Sequence, residues 1–148
     1  MTYSVQLKPV ECQPVAVVRR QATPNALSTV VPEACGIVWN ALKALQIKAG
    51  RHVAIYWDGQ INLEVGAEVA ESFSGSGPVV RSSTPAGRVL TTAHFGPYDR
   101  LAEAHEAIRN WSERHQHALA GPNWEIYGHW NDDPSQLRTD VFYLLKGA

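Results

Sequence analysis

Trp124-Glu125-Ile126-Tyr127-Gly128-His129-Trp130 and, seventy-odd residues earlier, His52-Val53-Ala54-Ile55-Tyr56-Trp57-Asp58 decide the fold. Each is a β-branched and aromatic run bounded by turn formers, the composition of a strand. Moving outward, a helical stretch precedes each, holding Trp39 in one case and Trp111 in the other. Val17-Val18 and Val89-Leu90 precede those stretches, and Leu63-Glu64-Val65 and Val141-Phe142-Tyr143 follow the strands. The same order therefore occurs twice, pairing Val17 with Val89, Trp39 with Trp111 and Tyr56 with Tyr127, with a one-residue slip. The expected fold is α+β: duplicated β-α-β-β units forming one antiparallel sheet with two helices and a central groove. Where the first copy has Ala54 the second has Glu125, so the duplication predicts a pseudo-symmetric groove with one charged wall.

At 148 residues the chain fits a single domain, 1–148. By the usual scaling it can bury roughly two-thirds of its unfolded surface. A content of 45% hydrophobic and 18% charged residues is that of a folded soluble chain. A net charge of −1 exerts no global pull on nucleic acid or anionic membrane, and the arginines are interleaved with acids. Direct nucleic-acid binding is not expected. Cys12 and Cys35 are too few for a disulfide framework, and Met1–Lys8 has neither a basic nor an apolar leader region, which together predict a cytoplasmic protein. No apolar run approaches the roughly 20 residues of a membrane span.

Along the chain, Val5–Arg20 reads as extended, with Pro9 and Pro14 as punctuation. A helix follows, with Ser28 or Thr29 as cap, Pro32 in the first turn, Ala34, Val38, Leu42 and Leu45 as its apolar series, and Gly50 as its stop. Strands over 52–58 and 61–70 meet at a tight Asp58-Gly59 turn. The glycine- and serine-rich stretch Glu71–Pro78 separates repeat 1 (about 1–71) from repeat 2 (about 79–148), with the linker at about 72–78. Repeat 2 opens with a strand over 87–95 and enters a helix whose stripe is Leu101, Ala104, Ile108, Trp111, His115 and Leu119. Gly121-Pro122 is its expected stop, and strands over 123–130 and 137–145 close the chain.

Alternation along the strand puts Glu125, Tyr127 and His129 on one face and Trp124, Ile126 and Trp130 on the other. A carboxylate among aromatic rings suits an organic cation, since charge meets charge and the rings add cation–π attraction. The same setting can turn the acid into a general acid or base. The competing reading packs the Trp124 face on the helices and leaves Glu125 in solvent. Trp39 and Trp111 either flank the groove or fill the core, and Tyr56 is expected to face Tyr127 across the pseudo-twofold axis. His94 and His105 stand alone, and His115 and His117, two apart on a helix, point different ways, so no metal site is expected. Cys35 is read as a small buried apolar residue near a helix start.

These features resemble the gyrase-inhibitor-like, or GyrI-like, effector-binding domains. The resemblance rests on the duplicated layout, on His94-Phe95-Gly96-Pro97-Tyr98-Asp99-Arg100-Leu101 as the glycine-x-tyrosine approach to the second helix, and on Trp124-Glu125-Ile126-Tyr127 followed by Thr139-Asp140-Val141. It implies a groove that takes small hydrophobic, often cationic molecules, with Glu125 as counter-charge and Tyr127 beside it. Tyr56, Trp39, Trp111 and His94 complete the expected ligand-binding set. It also implies two alternatives. One is hydrolysis of electrophilic cyclopropane natural products by Glu125 and Tyr127, and the other is a protein partner such as gyrase or a regulator. The broad fold is similar to that of the SOUL haem-binding proteins, though no cofactor is expected.

Overall fold

The computed structural model describes residues 3–58, 62–70, 72–129 and 131–147. Its strands are β1 (Gln6–Val10), β2 (Pro14–Gln21), β3 (His52–Asp58), β4 (Asn62–Glu68), β5 (Val80–Ser83), β6 (Gly87–Phe95), β7 (Leu119–Tyr127) and β8 (Arg138–Leu145), and its helices are α1 (Leu27–Ala44) and α2 (Leu101–Arg114). All strands join one antiparallel sheet in the order β1-β6-β8-β7-β3-β4-β2-β5. The units β2-α1-β3-β4 and β6-α2-β7-β8 each fill one half, and they meet where β3 pairs with β7. Gly59 of the expected turn, Ile61, Glu71 and Trp130 lie outside the described residues.

Two strands go beyond the expected units. β1 precedes the first unit yet pairs with β6 of the second, and β5 precedes the second yet pairs with β2 of the first. Each unit therefore lends its leading strand to the other half. β5 is four residues long with no fully buried side chain, so hydrophobic periodicity gives no sign of it.

The helix boundaries also differ from expectation. A 3-10 turn at Pro24–Ala26 feeds straight into α1, and Ala26 N–H bonds the Thr23 carbonyl at 2.9 Å. A backbone turn thus replaces the side-chain cap expected from Ser28 or Thr29, and Pro32 falls inside the helix. Both helices end before the expected glycines. Gln46 and Gln116 each take a left-handed φ of 58°, and Ile47 N–H to Leu42 O and His117 N–H to Ser112 O each close at 2.9 Å. This pair of Schellman closures holds the left-handed residue without glycine. Gly121-Pro122 lies within β7, where the register with β8 shifts between Leu119 and Asn123 and a bulge tolerates proline. Trp39 lies seven residues before its left-handed glutamine and Trp111 five before its own, so the two tryptophans do not occupy matching helix positions.

One face of the sheet carries both helices. Ala16, Val18, Ala54, Tyr56, Leu63 and Val65 pack against Ala34, Val38 and Leu42 of α1, while Leu90, Val141 and Tyr143 pack against Leu101, Ala104 and Ile108 of α2. The other face holds a third cluster of Val15, Val17, Val53, Ile55, Val89, Trp124 and Ile126. A flat sheet of eight strands is about 30 Å wide and would leave that face open. Val53 and Ile55 are nevertheless fully buried, and Val10 and Val80, from the two edge strands, pack on the same cluster, so the sheet curls over it. Trp124 therefore packs away from the helices and Glu125 lies beneath them, overturning the reading that left Glu125 in solvent. Among the described residues no helix is long and apolar enough to cross a membrane.

Gly66, at the centre of β4, permits a close approach of β2. A Cβ at this position would lie 1.8 Å from the Ala16 carbonyl oxygen, a backbone atom that cannot swing away. Gly66→Ala is expected to lower stability to urea by at least about 3 kcal/mol. Gly36→Ala, where a Cβ in α1 meets nothing within 4 Å, is expected to raise it by about 0.5–1 kcal/mol.

Candidate functional site

Alternation on β7 turns Asn123, Glu125 and Tyr127 toward the helices. The register sets Tyr56, Ala54 and His52 of β3 beside them on one flank, and Tyr143, Val141 and Thr139 of β8 on the other. This seam runs along the helix-bearing face between α1, which packs on β2 and β4, and α2, which packs on β6 and β8. Its centre is Glu125, only 5% exposed, opposite the small side chain of Ala54.

The Glu125 carboxylate accepts three side-chain hydrogen bonds. Tyr56 donates to Oε1 at 3.2 Å, Tyr127 donates to the same oxygen at 2.5 Å, and His105 Nε2 lies 2.6 Å from Oε2. His105 comes from α2 and is itself buried. Its Nδ1 lies 2.6 Å from the Tyr143 hydroxyl, which accepts from Arg109 Nη1 at 3.0 Å. One assignment of protons satisfies every contact: Arg109 donates to Tyr143, Tyr143 to His105 Nδ1, and His105 Nε2–H to Glu125. The seam thus holds a chain of donors that starts at a guanidinium and converges on a buried carboxylate.

Burial pushes the Tyr127 hydroxyl well above the ordinary tyrosine range, and the Glu125 charge adds to the shift. The same two causes raise Tyr56. Burial raises Tyr143 as well, opposed by Arg109. All three hydroxyls therefore remain protonated donors. Burial lowers the pKa of His52, keeping that ring neutral. It pushes the Cys35 thiol up to about 11, as suits a small apolar residue and not a reactive thiolate.

Aromatic rings line one end of the seam. Trp39, 51% exposed, stacks on His52 with ring centroids 6.4 Å apart, and His52 is the cross-strand neighbour of Tyr127. Tyr98, 42% exposed, meets Tyr127 edge-on at 5.8 Å. The turn that presents Tyr98 depends on Gly96, whose φ of +137° favours glycine.

Of the expected site residues, Glu125, Tyr127 and Tyr56 converge, and Trp39 borders them through His52. Trp111 faces away from the seam. It stacks on His115 and lines a separate cavity of about 540 Å³ with Tyr3, Val5, Asn110 and Arg114. His94 is fully buried and spans Tyr3 and the Pro97 carbonyl, at 2.8 and 3.0 Å, tying the chain start to the turn before α2. His105, Tyr143 and Arg109 complete the network but were not singled out from the sequence. His105 does carry a signal: it falls on the buried stripe of α2 with Leu101, Ala104, Ile108 and Ser112. A polar residue on a buried stripe requires a partner.

A family model for the GyrI-like small molecule binding domain matches residues 3–146, nearly the whole chain. The chain belongs to this family and is a GyrI-like small-molecule-binding domain. Among solved structures, it is similar to the C-terminal domain of EcmrR, with 22% identity and a TM-score of 0.80 over 100% of both chains. It is also similar to SAV2435 bound to tetraphenylphosphonium, with 11% identity and a TM-score of 0.66 over 99% of this chain and 95% of that one. A hydrolase from Listeria innocua matches at 9% identity and a TM-score of 0.66 over 96% and 91%. At these identities the likeness is one of fold. No curated protein sequence matches the chain.

The tyrosines generate a pH dependence with a definite sign. Their folded pKa values lie above the ordinary value of 10.0, so as pH rises the unfolded chain loses these protons first. The stability they contribute is complete below about pH 10 and falls as pH rises beyond it. Tyrosinate absorbance from the three buried hydroxyls is expected to appear together with loss of the folded state, and Tyr56→Phe is expected to make that loss shallower.

Proposed function

We propose that this domain holds a hydrophobic organic cation in the seam between its two helices, with Glu125 as counter-charge. The observation that carries this reading is the burial of Glu125 beneath two tyrosine hydroxyls and the His105 imidazole, on the helix face of the sheet. The full positive charge of the network stands two side chains away, on Arg109. Burying a carboxylate with no permanently charged cation in contact with it is costly, and a positive ligand would offset that cost where a neutral one would not. The aromatic surfaces of Tyr127, Tyr98, His52 and Trp39 supply area and cation–π attraction. Binding of tetraphenylphosphonium by the similarly folded SAV2435 supports the same ligand class.

The charge of Glu125 makes the reading testable. By isothermal titration, Glu125→Gln is expected to weaken tetraphenylphosphonium at least about tenfold and triphenylphosphine oxide, a neutral triaryl compound, by no more than about twofold. Equal losses for both compounds would remove the counter-charge role.

A hydrolytic reading draws on a different observation. The 2.6 Å contact of His105 Nε2 with Glu125 is a carboxylate–imidazole pair able to pass a proton, and Tyr127 is a protonated donor beside it. In this reading Glu125 deprotonates water and Tyr127 donates to the leaving oxygen of an electrophilic cyclopropane substrate. Multiple turnover that is lost in Glu125→Ala would support it; stoichiometric binding without product would reject it. The third reading, interaction with gyrase or a regulator, predicts co-purification with a large protein partner.

A further inference from the structure

Two buried polar atoms have no hydrogen-bond partner among the described residues, and both lie on the helix face of the seam. They are Asn123 Oδ1, in a residue 6% exposed, and Thr139 Oγ1, in a residue fully buried. Asn123 precedes Glu125 by two residues on β7, one step of the pleat, so its Cα is about 7 Å away. Thr139, on β8, is the cross-strand partner of Tyr127, which places it diagonally from Glu125 at about 7–8 Å. The two residues therefore lie on opposite sides of Glu125 along the strand direction, with Thr139 offset by one strand.

Such atoms are uncommon. An unpaired buried acceptor costs about 1–3 kcal/mol, and native folds keep few of them without a partner that supplies the missing bond. The buried polar groups around Glu125 are matched: both Glu125 oxygens, both His105 nitrogens and the hydroxyls of Tyr56, Tyr127 and Tyr143 all have partners. Glu125 itself accepts three bonds where a carboxylate has about four lone-pair sites. The free hydrogen-bonding capacity of the buried part of the seam is thus carried by oxygens: Asn123 Oδ1, the remaining site on Glu125 and Thr139 Oγ1.

We infer that the seam selects an elongated ammonium or amidinium ligand bearing N–H donors spaced along its length, in preference to an onium ion without N–H groups. This rests on the cation reading above and sharpens it. A tetraalkyl or tetraaryl onium satisfies the charge of Glu125 but leaves both orphaned oxygens unpaired. A protonated amine on the carboxylate with a second donor group one pleat step away also satisfies one of them. A polyamine carrying an aromatic end has this chemistry, its ring lying against Tyr127 and Tyr98 and its nitrogens meeting Glu125 and one of these oxygens. The energy at stake is the difference between a matched polar site and an unmatched one, which discriminates ligands more sharply than added apolar area does.

The test compares N-benzyl-1,4-diaminobutane with its fully N-methylated bis-quaternary analogue by isothermal titration, on wild type, Thr139→Val and Asn123→Leu. Wild type is expected to prefer the diamine at least about tenfold. The variant at the oxygen that the second nitrogen meets is expected to lose several-fold of that preference, the other variant to keep it, and both to hold the quaternary compound within about twofold; retention of the full preference in both variants would overturn the inference. Each is also expected to keep or raise the melting temperature, because an apolar replacement removes an unpaired polar atom. Equal wild-type affinity for the two compounds would overturn this inference and leave the cation reading standing. If the protein binds neither compound and also fails to bind tetraphenylphosphonium, both readings are overturned. A clear fall in melting temperature in Thr139→Val and Asn123→Leu would mean that these atoms serve the fold, which also overturns the inference.

Discussion

A carboxylate held under two helices, with 5% of its surface exposed, is the constraint around which the rest of this structure is arranged. An ionised oxygen withdrawn from water needs donors, and the cost of omitting one is comparable to a sizeable share of a domain's net stability. Both Glu125 oxygens are accordingly supplied, one from β3 and β7 and the other from α2. The donors have requirements of their own. His105 needs an acceptor orientation fixed at its far nitrogen, Tyr143 fixes it, and Arg109 fixes Tyr143. Four elements are pinned by this one group, so the geometry of the seam and the packing of α2 are set together.

The exchange of leading strands serves the same end. β3 and β7 meet along a single ladder at the centre of the sheet, and if the two halves were otherwise independent that ladder would be their only sheet contact. Because β1 extends the second half and β5 the first, the chain crosses between halves before each unit begins. The two edges then curl over the face opposite the helices and bury Val53, Ile55, Trp124 and Ile126. The backs of β3 and β7 are therefore packed, and the polar residues on their fronts are held on a rigid floor, where catalytic and binding groups keep their geometry better than on loops.

What could be read from the sequence followed from periodicity. The two units, the single antiparallel sheet, and the convergence of Tyr56, Tyr127 and Glu125 all come from alternation along strands 52–58 and 123–130 and from their likeness. β5 was not legible because four half-exposed residues carry no pattern. The helix ends were misplaced because glycine is the usual left-handed terminator and here glutamine takes that conformation. His105 carries a signal only in principle: its place on the buried stripe of α2 shows that it needs a partner, but Glu125 lies twenty residues on, and only the packing of α2 on β6 and β8 brings the two together. Thr139 and Asn123 could not be recognised at all, since being unpaired is a property of the folded neighbourhood.

The asymmetry between the two copies has a physical basis. Glu125 faces Ala54 across the central ladder, and such cross-strand side chains stand about 4.5–5.5 Å apart at Cβ. A glutamate in both copies would set two buried carboxylates against each other, and one would be forced to keep its proton. Only one copy can carry the charge. The helices have diverged in step. Cys35 and His105 each lie eleven residues before the left-handed glutamine that ends their helix, and Trp39 and Arg109 each lie seven before it. At matching positions one helix therefore offers a neutral thiol and a broad indole, and the other an imidazole and a guanidinium that feed the carboxylate. Duplication supplies a pseudo-symmetric seam, and divergence at three matched positions places a buried charge and the groups that feed it on one side and a small side chain, a thiol and an indole on the other.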